Sequence, residues 1–151
     1  RCLLCPWSDF CAGRDIAAEL PQRAPKKARP LRRGIAFWLT REDGAVLLRR
    51  RPEKGLLGGM MEAPSTEWRE GALVSEAEAL LEAPLPARQW KTLPGVVEHG
   101  FTHFRLELTV LAGVAEGDPS ASARWCRIEN LADEALPTVM KKVVAHALRE
   151  T

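Results

Sequence analysis

A proline-rich basic segment divides this chain and limits which part of it can fold as one unit. The segment, PQRAPKKARPLRR, runs from Pro21 to Arg33 and contains no acidic residue. Its prolines lack a backbone N–H and clash with a helix, so they favour an extended, semi-rigid linker. We therefore predict three regions: a cysteine-containing segment over residues 1–19, a linker over residues 20–33 and a globular domain over residues 34–151.

The length and composition exclude a membrane-spanning chain. No apolar run in the 151 residues approaches the roughly 20 that a bilayer requires. We expect a soluble, intracellular (cytoplasmic, nucleoid-associated) protein with no membrane partner. The chain begins with Arg1 rather than methionine, and we expect it to be the C-terminal part of a longer protein.

The globular region contains several β-prone runs. GIAFWLT (34–40) and AVLLRRR (45–51) flank the turn REDG and predict a hairpin, and GLLGGMMEAP (55–64) predicts a glycine-rich loop that leads into a short strand. Apolar and polar residues alternate from Phe104 to Val110, which predicts a half-buried antiparallel strand. Further strands are predicted within residues 91–101 and 123–128.

Two stretches predict helices. Residues 70–82 would place Leu73, Ala77, Leu80 and Leu81 on one face. Residues 138–150, directly after Pro137, would turn Val139, Val143, Val144 and Leu148 inward. The predicted fold class is α+β, with an antiparallel or mixed β-sheet and packed helices.

Three cysteines lie close together at the start of the chain. Cys2, Cys5 and Cys11 form the pattern C-x2-C-x5-C, and three thiolates on a tight loop suit zinc or an iron–sulfur cluster. A CxxC redox pair is the alternative, but no thioredoxin-like pattern surrounds it. Cys126 lies in a predicted strand and is expected to be packed inside, so we expect the fourth ligand to precede residue 1.

Four motifs in order resemble the C-terminal part of MutY-type adenine DNA glycosylases. They are the three cysteines, the basic linker, GLLGGMMEAP and VEHGFTHF (97–104). The resemblance implies a Nudix-like domain that recognises 8-oxoguanine opposite adenine in double-stranded DNA. It also implies an N-terminal catalytic domain, absent from this chain, that flips and excises the adenine in base excision repair, so this chain alone would be inactive.

The resemblance further implies a [4Fe–4S] cluster in the full-length protein. Cys2, Cys5 and Cys11 would be three of its four ligands, and the cluster would be absent or incomplete in this chain. Residues 1–19 would then be the end of the iron–sulfur loop. Two motifs depart from the family pattern: Leu57, Met61 and Ala63 stand where aromatic residues are common, and Thr102 stands where serine is common.

The candidate lesion contacts are Phe101, Thr102 and His103. In 8-oxoguanine N7 carries a hydrogen, so an ordinary acceptor position becomes a donor, and the Thr102 hydroxyl could accept from it. The same hydroxyl could donate to N7 of guanine, so neighbouring backbone groups must assist discrimination. Phe101 could wedge beside a base step, and His103 could donate to a phosphate or base. Arg23, Lys26, Lys27 and Arg29 would contact phosphates.

Several alternatives remain open on the residues alone. Phe101 and Phe104 could both be core residues, and His99 and His103 could be satisfied polar groups or, less in keeping with a strand and turn, zinc ligands. A Nudix-type nucleotide hydrolase would need carboxylates clustered on a helix to bind magnesium, but Glu62, Glu67 and Glu70 miss that spacing. A zinc-stabilised protein-interaction module is the third alternative.

Overall fold

The folded part of the chain is one mixed β-sheet with helices on both of its faces. The computed structural model describes residues 2–151. Its strands and α-helices are β1 (Leu31–Thr40), β2 (Val46–Arg50), β3 (Met61–Glu62), β4 (Arg69–Glu70), α1 (Glu76–Leu81), β5 (Ala87–Thr92), β6 (Val97–Gly100), β7 (Arg105–Ala115), β8 (Ala123–Cys126) and α2 (Thr138–Glu150). Short 3-10 helices span Cys2–Leu4, Ser8–Phe10 and Ile128–Asp133.

The two longest strands, β1 and β7, form the centre of the sheet. They run parallel from the pair Leu31 and Arg105 to the pair Thr40 and Val114. The strand order is β3-β2-β1-β7-β5, with β4 on β1, β6 on β7 and β8 on β2. Every other pairing is antiparallel. The predicted mixed sheet is confirmed, but β7 is antiparallel only to β5 and β6.

Alternate residues of β1 enter two separate hydrophobic cores. Ile35, Phe37 and Leu39 face a core that includes Ala79 of α1, while Ala36 and Trp38 face a core built against α2. All five side chains are buried, because side chains of a strand point alternately to the two faces of its sheet. Phe104, directly before β7, and the β7 residues Leu106, Leu108 and Val110 join the α2 side, so the predicted buried face is confirmed.

The start of the sheet lies earlier than the sequence predicts. β1 begins at Leu31 rather than Gly34, and Leu31, Arg32 and Arg33 pair with the first residues of β7. Arg32 and Arg33 also pair with β4. These basic residues can occupy a strand because their long side chains extend to the surface, where Arg33 contacts Glu107 at 3.1 Å. The last residues of the predicted linker are therefore part of the sheet.

The predicted helix over residues 70–82 is wrong in extent and in its inward face. α1 begins only after Ser75, whose hydroxyl accepts from the Glu78 N–H while the Glu78 carboxylate accepts from the Ser75 N–H. This capping box fixes the start of the helix, so Leu73 lies outside it. Leu80 packs against the core as predicted, but the buried residue is Ala79, whereas Ala77 is exposed and Leu81 is 87% exposed.

The closing helix α2 is confirmed, with one residue of its inward face misplaced. Val139 and Val143 are buried and Val144 is partly buried, as predicted. Leu148 is 42% exposed, and Ala147 occupies the inward position. No helix within residues 2–151 is long and apolar enough to cross a membrane.

Candidate nucleic-acid interface

The turn between β6 and β7 presents Thr102 and His103 to solvent. The Phe101 N–H donates to the Phe104 carbonyl at 2.8 Å, which closes a turn with only these two residues at its end. Both side chains are exposed. We refer to residues 101–104 as the recognition turn. Two of the three candidate lesion contacts thus lie where a nucleic acid could reach them.

The third candidate, Phe101, packs against the protein. Its ring lies 4.7 Å from the Phe104 ring and 4.7 Å from the His99 ring, centroid to centroid, with Trp68 at 6.0 Å. Phe104 is buried, and Phe101 is partly buried against the α2-side core. In this conformation Phe101 supports the recognition turn from beneath, and a role as a wedge would require its ring to leave this cluster.

A basic depression lies beside the recognition turn. It has a volume of about 720 Å³ and is lined by Lys26, Lys27, Ala28, Arg29, Thr102 and Arg105. Within residues 2–151, the lining cations form no ion pair with a carboxylate. The fold therefore brings the Thr102 hydroxyl and several uncompensated positive charges into one surface.

This depression contains three of the four linker cations that the sequence predicts as phosphate contacts. Arg23 does not line it. Arg105 is a lining residue that the sequence reasoning missed. The sequence does contain a sign of it, because the alternation of apolar and polar residues in this strand places Arg105 on the outward face, directly after the turn.

The linker also contacts the recognition turn directly. Arg29 Nη1 donates to the Phe101 carbonyl at 2.8 Å, and the Arg105 N–H donates to the Pro30 carbonyl at 2.9 Å. Two residues further along, the Arg32 guanidinium lies 4.5 Å from the centre of the Phe104 ring. The end of the linker is thus bound to both sides of the turn.

The two histidines of VEHGFTHF occupy different environments. His99 is half-buried, its Nδ1 has no hydrogen-bond partner in the described structure, and burial and the nearby Lys142 ammonium lower its pKa. His103 is exposed. Among residues 2–151, no group of three His, Cys, Asp or Glu side chains is arranged to bind a metal ion.

The glycine-rich loop ends in a buried carboxylate that pairs with arginines. Glu62 is 1% exposed, and its carboxylate accepts from Arg49 at 2.7 Å and from Arg51. Met61 and Ala63 are buried, and Leu57 packs against the same core. The apolar residues that replace aromatic ones in this motif therefore serve packing.

The acidic side chains that follow the loop are engaged in local contacts. The Glu78 carboxylate caps α1, Glu76 accepts from Thr92 at 3.2 Å, and Glu67 pairs with Arg69 at 2.9 Å. Hydrolysis of a nucleotide by magnesium would need such carboxylates to converge on one ion. The described arrangement spreads them over separate contacts.

The N-terminal cysteines do not converge in the described structure. Cys2, Cys5 and Cys11 are all exposed and belong to no three-residue metal-binding group within residues 2–151. The iron–sulfur assignment stays a prediction. Cys126 is buried as predicted, and burial together with the Glu134 carboxylate raises the pKa of its thiol.

The fold places the chain in a known class. Residues 35–146 match the family model described as the NUDIX domain, so the chain belongs to the NUDIX domain family. Its fold is similar to that of the MutT protein from Methanosarcina mazei Go1, with a TM-score of 0.67 and 18% identity over 83% of this chain and 98% of that one. At that level of identity the likeness concerns the fold alone.

Within this class the chain is similar to adenine DNA glycosylases, which confirms the resemblance seen in its motifs. It is 31% identical over 162 residues to the adenine DNA glycosylase of Homo sapiens. This alignment covers 95% of this chain and 29% of the human protein. The rat protein is 32% identical over 164 residues, with 95% and 30% covered. The chain thus spans less than a third of the length of these relatives.

A solved structure of a related domain has the same fold. The C-terminal domain of mouse MUTYH, determined in complex with human PCNA, matches with a TM-score of 0.64 and 28% identity. The match covers 78% of this chain and 88% of the mouse domain.

Proposed function

We propose that this chain recognises 8-oxoguanine opposite adenine in double-stranded DNA, as the C-terminal domain of an adenine DNA glycosylase that acts in base excision repair. The observation that carries the proposal is the position of Thr102. Its exposed hydroxyl lines the same depression as Lys26, Lys27 and Arg105. A group able to read a base edge thus lies beside charges able to bind the phosphate backbone.

The two kinds of group have different tasks. Phosphate contacts position a protein on DNA, and contacts to base edges supply specificity. The lysines would hold the duplex at the recognition turn, while the Thr102 hydroxyl accepts from N7–H of the lesion. His103, also exposed at this turn, is available to donate to a phosphate or base.

The removal of adenine would be performed by the part of the glycosylase that this chain does not include. We expect the 151 residues alone to excise no base, and we assign none of them a catalytic role. Magnesium-dependent release of phosphate from 8-oxo-dGTP by the chain would instead support a Nudix hydrolase.

The proposal is tested by the affinity of the chain for duplexes that pair adenine with 8-oxoguanine or with guanine. We expect tighter binding to the lesion duplex. Thr102→Val keeps the shape but removes the hydroxyl, and loss of one hydrogen bond should reduce the preference by up to about tenfold. Thr102→Ser retains the hydroxyl and should keep the preference.

Two results would contradict this assignment. If the chain binds both duplexes equally, lesion reading lies outside these residues, and the domain acts as a docking surface or clamp. If the chain prefers the lesion but Thr102→Val binds with unchanged preference, the base is read by other groups of the domain.

A further inference from the structure

The linker residue Arg29 differs from its basic neighbours because it has a partner within the fold. Its guanidinium donates to the Phe101 carbonyl at 2.8 Å, across a separation of 72 residues. Lys26 and Lys27 line the same depression, but in the described part of the chain neither lysine donates a hydrogen bond to the recognition turn. The three cations are therefore not equivalent.

Gly100, beside this hydrogen bond, leaves space for the Arg29 guanidinium. A methyl group at Gly100 would lie 3.3 Å from Arg29 Nη1, closer than ordinary van der Waals contact, so the absence of a side chain at this position admits the guanidinium. The bond between the Arg105 N–H and the Pro30 carbonyl holds the adjacent linker backbone against the start of β7. Arg29 is thus fixed from its backbone side while its side chain reaches the turn.

We propose that Arg29 is a positioning residue, which fixes the recognition turn so that Thr102 is presented in one geometry. The Phe101 carbonyl begins that turn, and the Phe101 N–H closes it by donating to Phe104. A charged donor makes a stronger hydrogen bond than a neutral one, and its loss would leave the two exposed residues of the turn held only by the turn itself. The positioning role replaces the phosphate contact that the sequence predicts for Arg29. The effect of this role on DNA binding rests on the proposed function.

The first test separates a positioning role from a phosphate contact. Each phosphate contact contributes about 0.9 to the slope of log affinity against log salt concentration. We expect Arg29→Ala to lower the preference of the 151-residue chain for the lesion duplex about three- to tenfold, by loss of one exposed hydrogen bond, without changing this slope. The matched control Lys27→Ala should flatten the slope by about 0.9 and keep the preference.

A second variant crowds the hydrogen bond and keeps the charge. Gly100 is not at a positive φ, so Gly100→Ala is compatible with its backbone, and the added methyl group would push the Arg29 guanidinium away by a few tenths of an ångström. It should reduce the lesion preference less than Arg29→Ala does. The double variant should be no worse than Arg29→Ala alone, because both changes act on the same interaction.

A third measurement does not depend on DNA. In NMR spectra of the free chain, the backbone amides of Thr102 and His103 should shift in Arg29→Ala and in Gly100→Ala but not in Lys27→Ala. Unshifted amides would overturn the positioning role even if the chain showed no lesion preference. A flattened salt slope with retained preference in Arg29→Ala would return Arg29 to the phosphate contacts.

Discussion

At the scale of single residues, the Glu62 carboxylate stabilises the fold, although Glu62 lies at the end of the glycine-rich loop and was considered as a magnesium ligand. The sequence predicts a glycine-rich loop and a short strand at this position, and both are present. It does not reveal that Glu62 is enclosed by Arg49 and Arg51, because neither arginine is marked by any local pattern. Ion pairs of this kind depend on strand register, which only the folded sheet defines.

We expect Glu62→Gln to destabilise the domain by about 3 kcal/mol, since removal of one partner from a buried pair leaves the other charges uncompensated. The matched control is Glu53→Gln. Glu53 lies 3.9 Å from Arg50 in an exposed pair, which should contribute less than about 1 kcal/mol. Urea unfolding of the three proteins measures both changes, and equal stabilities of the two variants would contradict the structural role of Glu62.

Some residues of the recognition turn could be predicted from the sequence, and others could not. Thr102 and His103 follow a glycine between two strands, and this local pattern correctly predicts an exposed turn. The packing of Phe101 against Phe104 was one of the alternatives that the sequence left open, but the approach of the distant Trp68 was not predictable, because it depends on the folded sheet. For the same reason the contact of Arg29 with Phe101 has no signature in the linker.

At the scale of elements, the start of α1 is better predicted by its capping residues than by the spacing of apolar residues. Apolar spacing over residues 70–82 predicts a long helix, but Ser75 and Glu78 have the spacing of a capping box. The observed helix begins where this box places it. Gly71, at φ 96°, lies in a conformation outside any helix, so the residues between it and Ser75 stay outside α1 and Leu73 is left exposed.

Ser75→Ala should destabilise the domain by about 1 kcal/mol, the usual cost of losing an N-cap hydroxyl. Ser122→Ala is a suitable control, because the Ser122 hydroxyl contacts only the neighbouring Ser120 among the described hydrogen bonds. Thermal unfolding of both variants gives the comparison. A Ser75 variant as stable as the Ser122 variant would show that α1 begins without help from its cap.

At the scale of the whole molecule, the sheet extends into the segment predicted as linker. The composition of residues 20–33 predicts an extended linker, but it cannot show that Leu31, Arg32 and Arg33 pair with β7 and β4. Local patterns predicted β7 as an antiparallel strand, which is wrong for its pairing with β1, since a parallel pairing depends on how distant segments meet. Fold class was therefore predictable, and strand order was not.

This boundary predicts different stabilities for two shortened chains. Residues 29–151 should unfold at about the same urea concentration as the 151-residue chain, because residues 2–28 are mainly exposed. Residues 34–151 should lose about 2–3 kcal/mol, since they lack the first pairs of β1 and the contacts of Arg33 with Glu107 and Gly71. Equal stability of the two shortened chains would place the boundary at Gly34 after all.

The parallel pairing of β1 with β7 also has a consequence for how the chain reaches its fold. Arg33 and Glu107 are 74 residues apart, whereas the β6 and β7 hairpin joins neighbours in sequence. Closing distant segments slows folding relative to local contacts. During synthesis β1 can therefore pair with β7 only after residues 105–115 have been made, and until then Phe37 and Leu39 lack the Leu111 side chain that completes their core.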